Sequence, residues 1–550
     1  MNTYLRRTFY LFVVWFVTLA GVLAYWQVYA RESLITDPAN SLQSRRVQEA
    51  PRGLILAGDG KTELARSVQE DDGTYKRTYP EGPVYSHVVG YWSTKYGASG
   101  IEISENNALS GESGDPQTLD ELVNQISGGP RAGNDVELTL DPKLQRLTYD
   151  QLASSPTGRG AAVALDPKTG EILAMVSYPS YDPNNLDQTF PDLSKDPNSG
   201  LLNRATQGLY PPGSTFKVIT TAAAIEAGVK PTDKFTDNGT YETPGYTVYN
   251  FQGKKYGDVT FKQALANSIN AIFAKIGYEY VGPQKLAQTA QDFGFGVPYK
   301  DFPLPVSTSE LGELSPQQWA QGGTAQISFG QGPVVSNVFE MGLVAATIAN
   351  EGTMMEPRIV REIRSPDGAI IDKPTSRVRK RVLDKETAKT VNDMMQSVIT
   401  DVETTGQIPG IKVAAKTGTA EAPGDELHSW FIAFAPADDP KIAVAVLVEN
   451  GQEGYKTALP IARRMMETYL GPQETRQNTQ QPTTPQSRPE TTTPSTQPAQ
   501  PKNAIPSPST QPAQPKNAIP FQVPFQNPGQ GPVQVPGKGQ GSDPGQRPGG

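Results

Sequence analysis

The stretch "YPPGSTFKVITTAAAIEAG", residues 210–228, sets Ser214 and Lys217 three positions apart at the start of a helix-like run that stops at Gly228. Residues i and i+3 share a helical face, so the hydroxyl and the amine can meet. A serine hydroxyl becomes a strong nucleophile only when a base takes its proton. A lysine can be that base when burial or a nearby cation lowers its pKa toward neutrality. The helix N-terminus also favours the negative charge that develops beside the serine. The plainer alternative is a helix cap followed by a first-turn lysine, and S-x-x-K alone arises by chance about once or twice in a chain of this length. Two further pieces weigh against it. "FKQALANSINAIFAKIG" (261–277) holds Ser268 and Asn270 between two apolar helical pieces. "IKVAAKTGTAE" (411–421) holds Lys416, Thr417, Gly418 and Thr419 at the end of a strand, and Gly418 lets a ligand approach the backbone closely. Each motif has a decoy: Lys168-Thr169-Gly170 falls in a turn, and Ser104-Glu105-Asn106 precedes the nucleophile without flanking apolar helices.

Three distant segments must therefore be carried to one place by the elements between them. "GRGAAVALDPKTGEILAMVSYPSYDP" (158–183) has two apolar runs around an Asp/Pro/Gly turn, which predicts a β-hairpin. "EMGLVAATIANEG" (340–352) reads as helix, "SWFIAFAP" and "KIAVAVLVEN" (429–450) as a strand pair, and a last helix is expected near 457–470. A hairpin, a block of helices and more strands predict an α+β fold with an antiparallel sheet flanked by helices. Upstream, 31–155 is polar and turn-rich. There "NDVELTL" (134–140) alternates Val136, Leu138 and Leu140 as a strand, and "DPKLQRLTYDQL" (141–152) reads as helix. The expected division is 31–155 for an N-terminal domain, 156–470 for the main domain and 471–550 for a tail. In the tail "PSTQPAQPKNAIP" occurs at 494–506 and again at 508–520. So Pro/Gln/Thr-rich a segment cannot bury enough surface to offset its ordering entropy, and it is expected to be disordered.

Composition narrows the chemistry further. The 550 residues contain no cysteine, which excludes disulfides, thiolate metal sites and a cysteine nucleophile. Only two histidines occur, His87 and His428, so a lysine base fits better than a Ser-His-Asp triad, and no cofactor or metal is called for. His428 lies near the K-T-G segment, where it could line a cleft or sit in a surface turn; His87 reads as structural. The net charge of −8 argues against nucleic acid as partner. Residues 8–30, "TFYLFVVWFVTLAGVLAYWQVYA", carry no formal charge, and as a helix at about 1.5 Å per residue they would span a bilayer; the alternative, a cleaved signal peptide, usually has an apolar region of only about 7–15 residues. Trp26 and Tyr29 would mark its outer interface. Arginines flank the run on both sides, so charge alone does not orient it.

S-x-x-K, S-x-N and K-T-G in that order form the signature of penicillin-binding proteins and class A β-lactamases. With "EAPRGLILAGDGKTELA" (49–65), "GASGIEISENNALSG" (97–111), "LLNRATQGLYPPGSTFK" and "ISFGQGPVVSNVFEMGLVAATIANEGTMMEP" (327–357), the chain resembles the class B penicillin-binding proteins, and within them the actinobacterial penicillin-binding protein A group. The resemblance runs from about 45 to 470 and leaves out the tail. It implies a penicillin-binding, β-lactamase-like transpeptidase domain on an N-terminal β-rich pedestal, and a peptidoglycan D,D-transpeptidase. It implies Ser214 as nucleophile, Lys217 as proton acceptor and Ser268 as relay to the leaving D-alanine. Asn270 would hold the peptide or the Lys217 amine. Lys416 would supply positive charge, Thr417 and Thr419 would bond the substrate carboxylate, and the N–H groups of Ser214 and Thr419 would form the oxyanion hole. The implied partners are peptidoglycan stem peptides, β-lactams, the lipid bilayer and a membrane glycosyltransferase. Wall chemistry would put residues 31–550 outside the cell membrane and 1–7 in the cytoplasm. A β-lactamase would need a deacylating glutamate, and E-x-x-L-N does not occur after Asn270. A D,D-carboxypeptidase shares the acyl-enzyme step, and a catalytically inactive scaffold remains the alternative from another class.

Overall fold

The structure, a computed structural model, describes residues 3–25, 50–111, 132–422 and 426–471. The outer end of the apolar N-terminal run, with Trp26 and Tyr29, and the tail beyond 471 lie outside these residues. A 22-residue helix, Thr3–Ala24, carries exposed Phe9, Phe12, Trp15 and Phe16. Among the described residues no helix is long and apolar enough to cross a membrane.

The site rests on a five-stranded antiparallel sheet in the order 414–422, 426–435, 442–448, 160–165, 172–178. The inner strands Gly160–Leu165 and Ile442–Val448 are buried at every position. Their side chains alternate between two cores: Val163, Leu165, Ala445 and Leu447 belong to one, Ala162, Ala164, Val444 and Val446 to the other. A sheet apolar on both faces has to be covered on both. The wholly buried helix Val338–Ala349 packs on the first face. There Gly342 lets the helix close on the sheet, since a Cβ would stand 3.3 Å from Leu165 Cδ2. Helices Pro142–Ala153 and Ala458–Leu470 cover the second face. The helix Pro142–Ala153, upstream of the expected boundary at 155/156, thus packs with the downstream sheet.

A second, six-stranded sheet runs in the order 370–372, 360–364, 135–138, 55–56, 63–69, 75–78. Two of its strands come from beyond residue 359. Its interior is braced by Glu102, which is fully buried and bonded by Arg52 Nε (3.1 Å) and Arg77 Nε (2.6 Å).

Candidate active site

Ser214 sits in a 3-10 turn, Gly213–Phe216, and the α-helix Lys217–Glu226 begins two residues later than a serine-capped helix would. No side chain caps this turn, so the Ser214 hydroxyl is not spent on helix N–H groups. Gly213 has φ +53°, and its N–H donates to the Gly330 carbonyl at 3.0 Å. The Ser214 turn therefore leans on the "SFGQG" loop.

Ser268 follows the helix Phe261–Ala266, which opens with a capping box between Thr260 and Gln263. At its C-terminus Ser268 N donates to Leu265 O (3.1 Å) and Ile269 N to Ala264 O (3.0 Å), with Ser268 at φ +57°. That is the Schellman arrangement, in which the left-handed position is ordinarily glycine. The next helix, Asn270–Lys275, starts at Asn270, and Ala271 N donates to Asn250 Oδ1 at 2.9 Å.

The K-T-G segment lies inside the edge strand Ala414–Ala422, not at a strand end as expected from sequence, because the strand pairs with Glu426–Ala435 along its whole length. Gly418 is enclosed: a Cβ there would stand 2.8 Å from both Thr215 Cγ2 and Trp430 Cβ. The strand and the nucleophile turn touch directly, since a Cβ on Gly213 would stand 2.6 Å from the Thr419 carbonyl oxygen.

These elements bring the three segments together. Lys217 Nζ lies 3.1 Å from Ser214 Oγ and 3.1 Å from Ser268 Oγ. It also lies 2.7 Å from the Ser268 carbonyl and 2.7 Å from Asn270 Oδ1. The Asn270 amide orientation follows from Nδ2 donating to Tyr249 O at 3.2 Å. The two short contacts go to oxygens that can only accept, and the two longer ones to hydroxyls that can donate. A neutral amine fits this set: it donates two N–H bonds and keeps a lone pair for a hydroxyl proton. Lys416 Nζ lies 2.9 Å from Ser268 Oγ and donates to Thr417 O at 2.9 Å. Ser268 thus links the two amines.

Both lysines are fully buried, and among the described residues neither makes an ion pair. Burial, followed by the neighbouring Lys416 charge, holds the Lys217 amine well below the usual lysine range. Burial lowers Lys416 to about 7 against an upward pull from Glu403. Above them runs a groove of about 550 Å³ lined by Ser214, Ser268, Asn270, Thr417 and Thr419. Lys217, Lys416 and Gly418 lie beneath its surface.

The decoys fall elsewhere. Lys168 sits in the hairpin turn and pairs with Asp439 at 2.5 Å. Asn106 accepts from Arg52 in the N-terminal region. His428 neither lines the groove nor sits in a turn. It stands on the strand Glu426–Ala435, edge-on to Tyr210, and accepts from Asn450 N at 3.2 Å. His87 packs on Tyr181 beside the Pro179 carbonyl, and burial lowers its pKa to about 4.

Sequence reasoning missed other groove residues. Tyr246 and Tyr249 come from a hairpin, Thr240–Thr243 with Tyr246–Tyr249, and Phe251 follows it. Glu403 lines the groove as a half-buried carboxylate that makes no hydrogen bond or ion pair among the described residues. The "TPG" turn announces the hairpin but not its place at the groove, and nothing in "DVETTG" marks Glu403. Glu449, at the far end of the central strand, receives Tyr210 OH (2.7 Å), Arg204 Nε (2.7 Å) and Arg159 Nη2 (2.6 Å). It thereby ties the segment entering the nucleophile turn to the sheet.

Residues 160–467 match the penicillin binding protein transpeptidase domain, and residues 52–136 match the penicillin binding protein A dimerisation domain. The chain is 38% identical over 497 residues to peptidoglycan D,D-transpeptidase PbpA of Mycolicibacterium smegmatis, covering 86% of this chain and 99% of that protein. It is 37% identical over 498 residues to the PbpA of Mycobacterium tuberculosis, covering 86% of this chain and 99% of that protein. Penicillin-binding protein A from M. tuberculosis, as an imipenem acyl-enzyme complex, superposes with a TM-score of 0.72 at 36% identity, covering 77% of this chain and all of the other.

Proposed function

The chain belongs to the penicillin-binding protein transpeptidase family, and from that premise we infer that it is a peptidoglycan D,D-transpeptidase working through a serine acyl-enzyme. The observation that carries the reading is the 3.1 Å contact between Ser214 Oγ and a buried Lys217 amine that has no carboxylate partner among the described residues.

Ser214 Oγ gives its proton to the neutral Lys217 amine and attacks the carbonyl of the penultimate D-alanine. The N–H groups of Ser214 and Thr419 receive the developing oxyanion, a contribution of about 3 kcal/mol per donor. The C–N bond to the terminal D-alanine breaks, and the proton returns from Lys217 through Ser268 to the leaving amine. Lys416, with Thr417 and Thr419, draws in the terminal carboxylate, and Asn270 holds Lys217 in line. An acceptor amine from a neighbouring stem peptide then attacks the ester and restores Ser214. A β-lactam carbonyl enters the same path and stops at the acyl-enzyme. The intact nucleophile, base and relay disfavour an inactive scaffold.

The remaining assignments extend this reading. The exposed aromatic side chains of Thr3–Ala24 suit lipid, which supports an N-terminal anchor, and a peptidoglycan substrate would place the catalytic residues outside the cell membrane. The region over 52–136 would be a pedestal and partner surface, and a membrane glycosyltransferase supplying glycan strands would be its associate.

Mass spectrometry of the adduct with benzylpenicillin tests the central claim. Acylation should map to Ser214, vanish in Ser214→Ala and persist in Thr169→Ala. An adduct on another residue overturns the site.

A further inference from the structure

Two buried amines share one hydroxyl in this site, and the Glu403 carboxylate lines the groove above them. We propose that Glu403 is a positioning residue that decides where the proton of the lysine pair resides, holding it on Lys416 so that Lys217 stays neutral to receive the proton of Ser214. The inference deepens the transpeptidase reading and rests on it.

The geometry is specific. Glu403 follows the turn Val398–Val402, which packs against both the edge strand Ala414–Ala422 and the helix Phe261–Ala266. Its backbone is pinned on both sides, with Glu403 N on Val398 O at 2.7 Å and Gly406 N on Glu403 O at 2.8 Å. Its side chain, by contrast, has no hydrogen-bond or ion-pair partner among the described residues, though it is half-buried and lines the same groove as Ser268 and Thr417. A half-buried carboxylate is partly desolvated, and a nearby ammonium offsets that cost. The Glu403 turn packs on the strand that carries Lys416, and the Glu403 charge pulls the Lys416 pKa up against the burial that lowers it.

Other charges do not take its place. From the nucleophile helix, Lys217 faces Lys416 as a second amine. From the helix Lys385–Ser397, packed behind the strand, Lys385, Glu386, Lys389 and Asp393 point to solvent. On the neighbouring strand His428 turns to Tyr210. Across the groove Glu453 is bound to Lys456 at 2.7 Å, and Glu421 is exposed. Lys254 also lines the groove, and it is exposed.

Two ammonium groups joined through one serine repel each other, so one proton is the favoured load. Without a carboxylate, little distinguishes the two amines. With Glu403 on the Lys416 side, the charge settles on Lys416, the end of the pair that would meet the substrate carboxylate. Lys217 is then left with its lone pair toward Ser214.

The test is the rate constant of acylation by a fluorescent penicillin, followed from well below to well above pH 7 in the wild type, Glu403→Gln and Glu403→Asp. The competent state needs Lys416 charged, so the rate falls as pH rises through the Lys416 titration. Removing the Glu403 charge lowers that titration, and Glu403→Gln should move the alkaline limb to lower pH by roughly 1 unit. Rates on the acid side should stay close to wild type, and Glu403→Asp should restore the limb at least partly. A limb unmoved in Glu403→Gln, or a loss equal at every pH, overturns the inference. So does normal acylation at every pH with slowed transfer to an acceptor amine, which would make Glu403 an acceptor subsite. A wild type that is not acylated at Ser214 overturns the transpeptidase reading itself, and the inference with it.

Discussion

Ser268 pays a conformational cost that glycine would avoid, and its hydroxyl explains why. Its φ of +57° sits at a helix terminus in the left-handed region, where a residue with a Cβ is strained by about 1–2 kcal/mol. The hydroxyl lies 3.1 Å from Lys217 and 2.9 Å from Lys416, so only a residue with that side chain can link the two amines. Stability and chemistry should therefore separate on substitution. Ser268→Ala keeps the strain and loses the hydroxyl, whereas Ser268→Gly loses both. Glycine also adds about 0.4–1 kcal/mol of unfolded-state freedom, which offsets part of the relief. Ser268→Gly should thus be more stable than Ser268→Ala by about 0.5–1 kcal/mol in urea unfolding, while both lose acylation by about 100-fold. Equal stabilities would show that the backbone is not strained, and a Ser268→Gly variant acylating at the wild-type rate would show that the hydroxyl is idle.

At the scale of elements, Ser214 is placed by backbone meeting backbone. Gly330 has φ +80°, and a Cβ there would stand 1.9 Å from the Gly213 carbonyl oxygen. Neither segment can yield easily, because Gly213 is also wedged against Thr419. Gly330→Ala should therefore push the Ser214 turn off its place while the sheet persists. The expected result is a fall of about 100-fold in acylation rate with a destabilisation of about 1–3 kcal/mol, read by penicillin kinetics and thermal unfolding. Wild-type kinetics in that variant would mean that another contact sets the turn. The elements themselves were largely legible, because local signals write them. The Asp166–Gly170 turn with its apolar flanks marks a hairpin, and the buried helix Val338–Ala349 follows from "EMGLVAATIANEG". The three motifs were legible too, since each is a short run of special residue types. Their mutual distances were not, because sheet pairing joins segments far apart in sequence. Glu403 left no trace for the same reason: a single carboxylate in a polar turn gains meaning only from the strand packed beside it. The left-handed conformation of Ser268 was equally hidden, as serine gives no sign of it.

The largest departure from a sequence reading concerns the whole molecule, in which the far part of the chain completes the sheet of the near part. Strand Val360–Arg364 pairs with Asp135–Leu138 in the six-stranded sheet. The residues leading into it bridge to the catalytic sheet, with Arg358 N on Gly170 O and Ile172 N on Arg358 O, both at 2.9 Å. Thr139 adds Oγ1 to Ile172 O at 2.6 Å. One segment thus serves both sheets, and local failure in either should reach the other. Glu102 offers the lever. Burial pushes its carboxyl up, but Arg77 and Arg52 outweigh burial and hold it below the usual range, so it stays charged at neutral pH. Glu102→Gln would leave two buried guanidinium groups without their counter-charge, at a cost of about 3–5 kcal/mol. If the sheets unfold as one unit, hydrogen exchange should quicken together in 135–138 and in 442–448, although the side-chain partners of Glu102 among the described residues are Arg52, Arg77 and Tyr79. A depressed carboxyl pKa contributes stability above its unfolded value and loses it as pH falls through the folded one. The difference between wild type and Glu102→Gln should accordingly shrink in acid. Faster exchange confined to the six-stranded sheet would show two independent units and refute the coupling through 358–364.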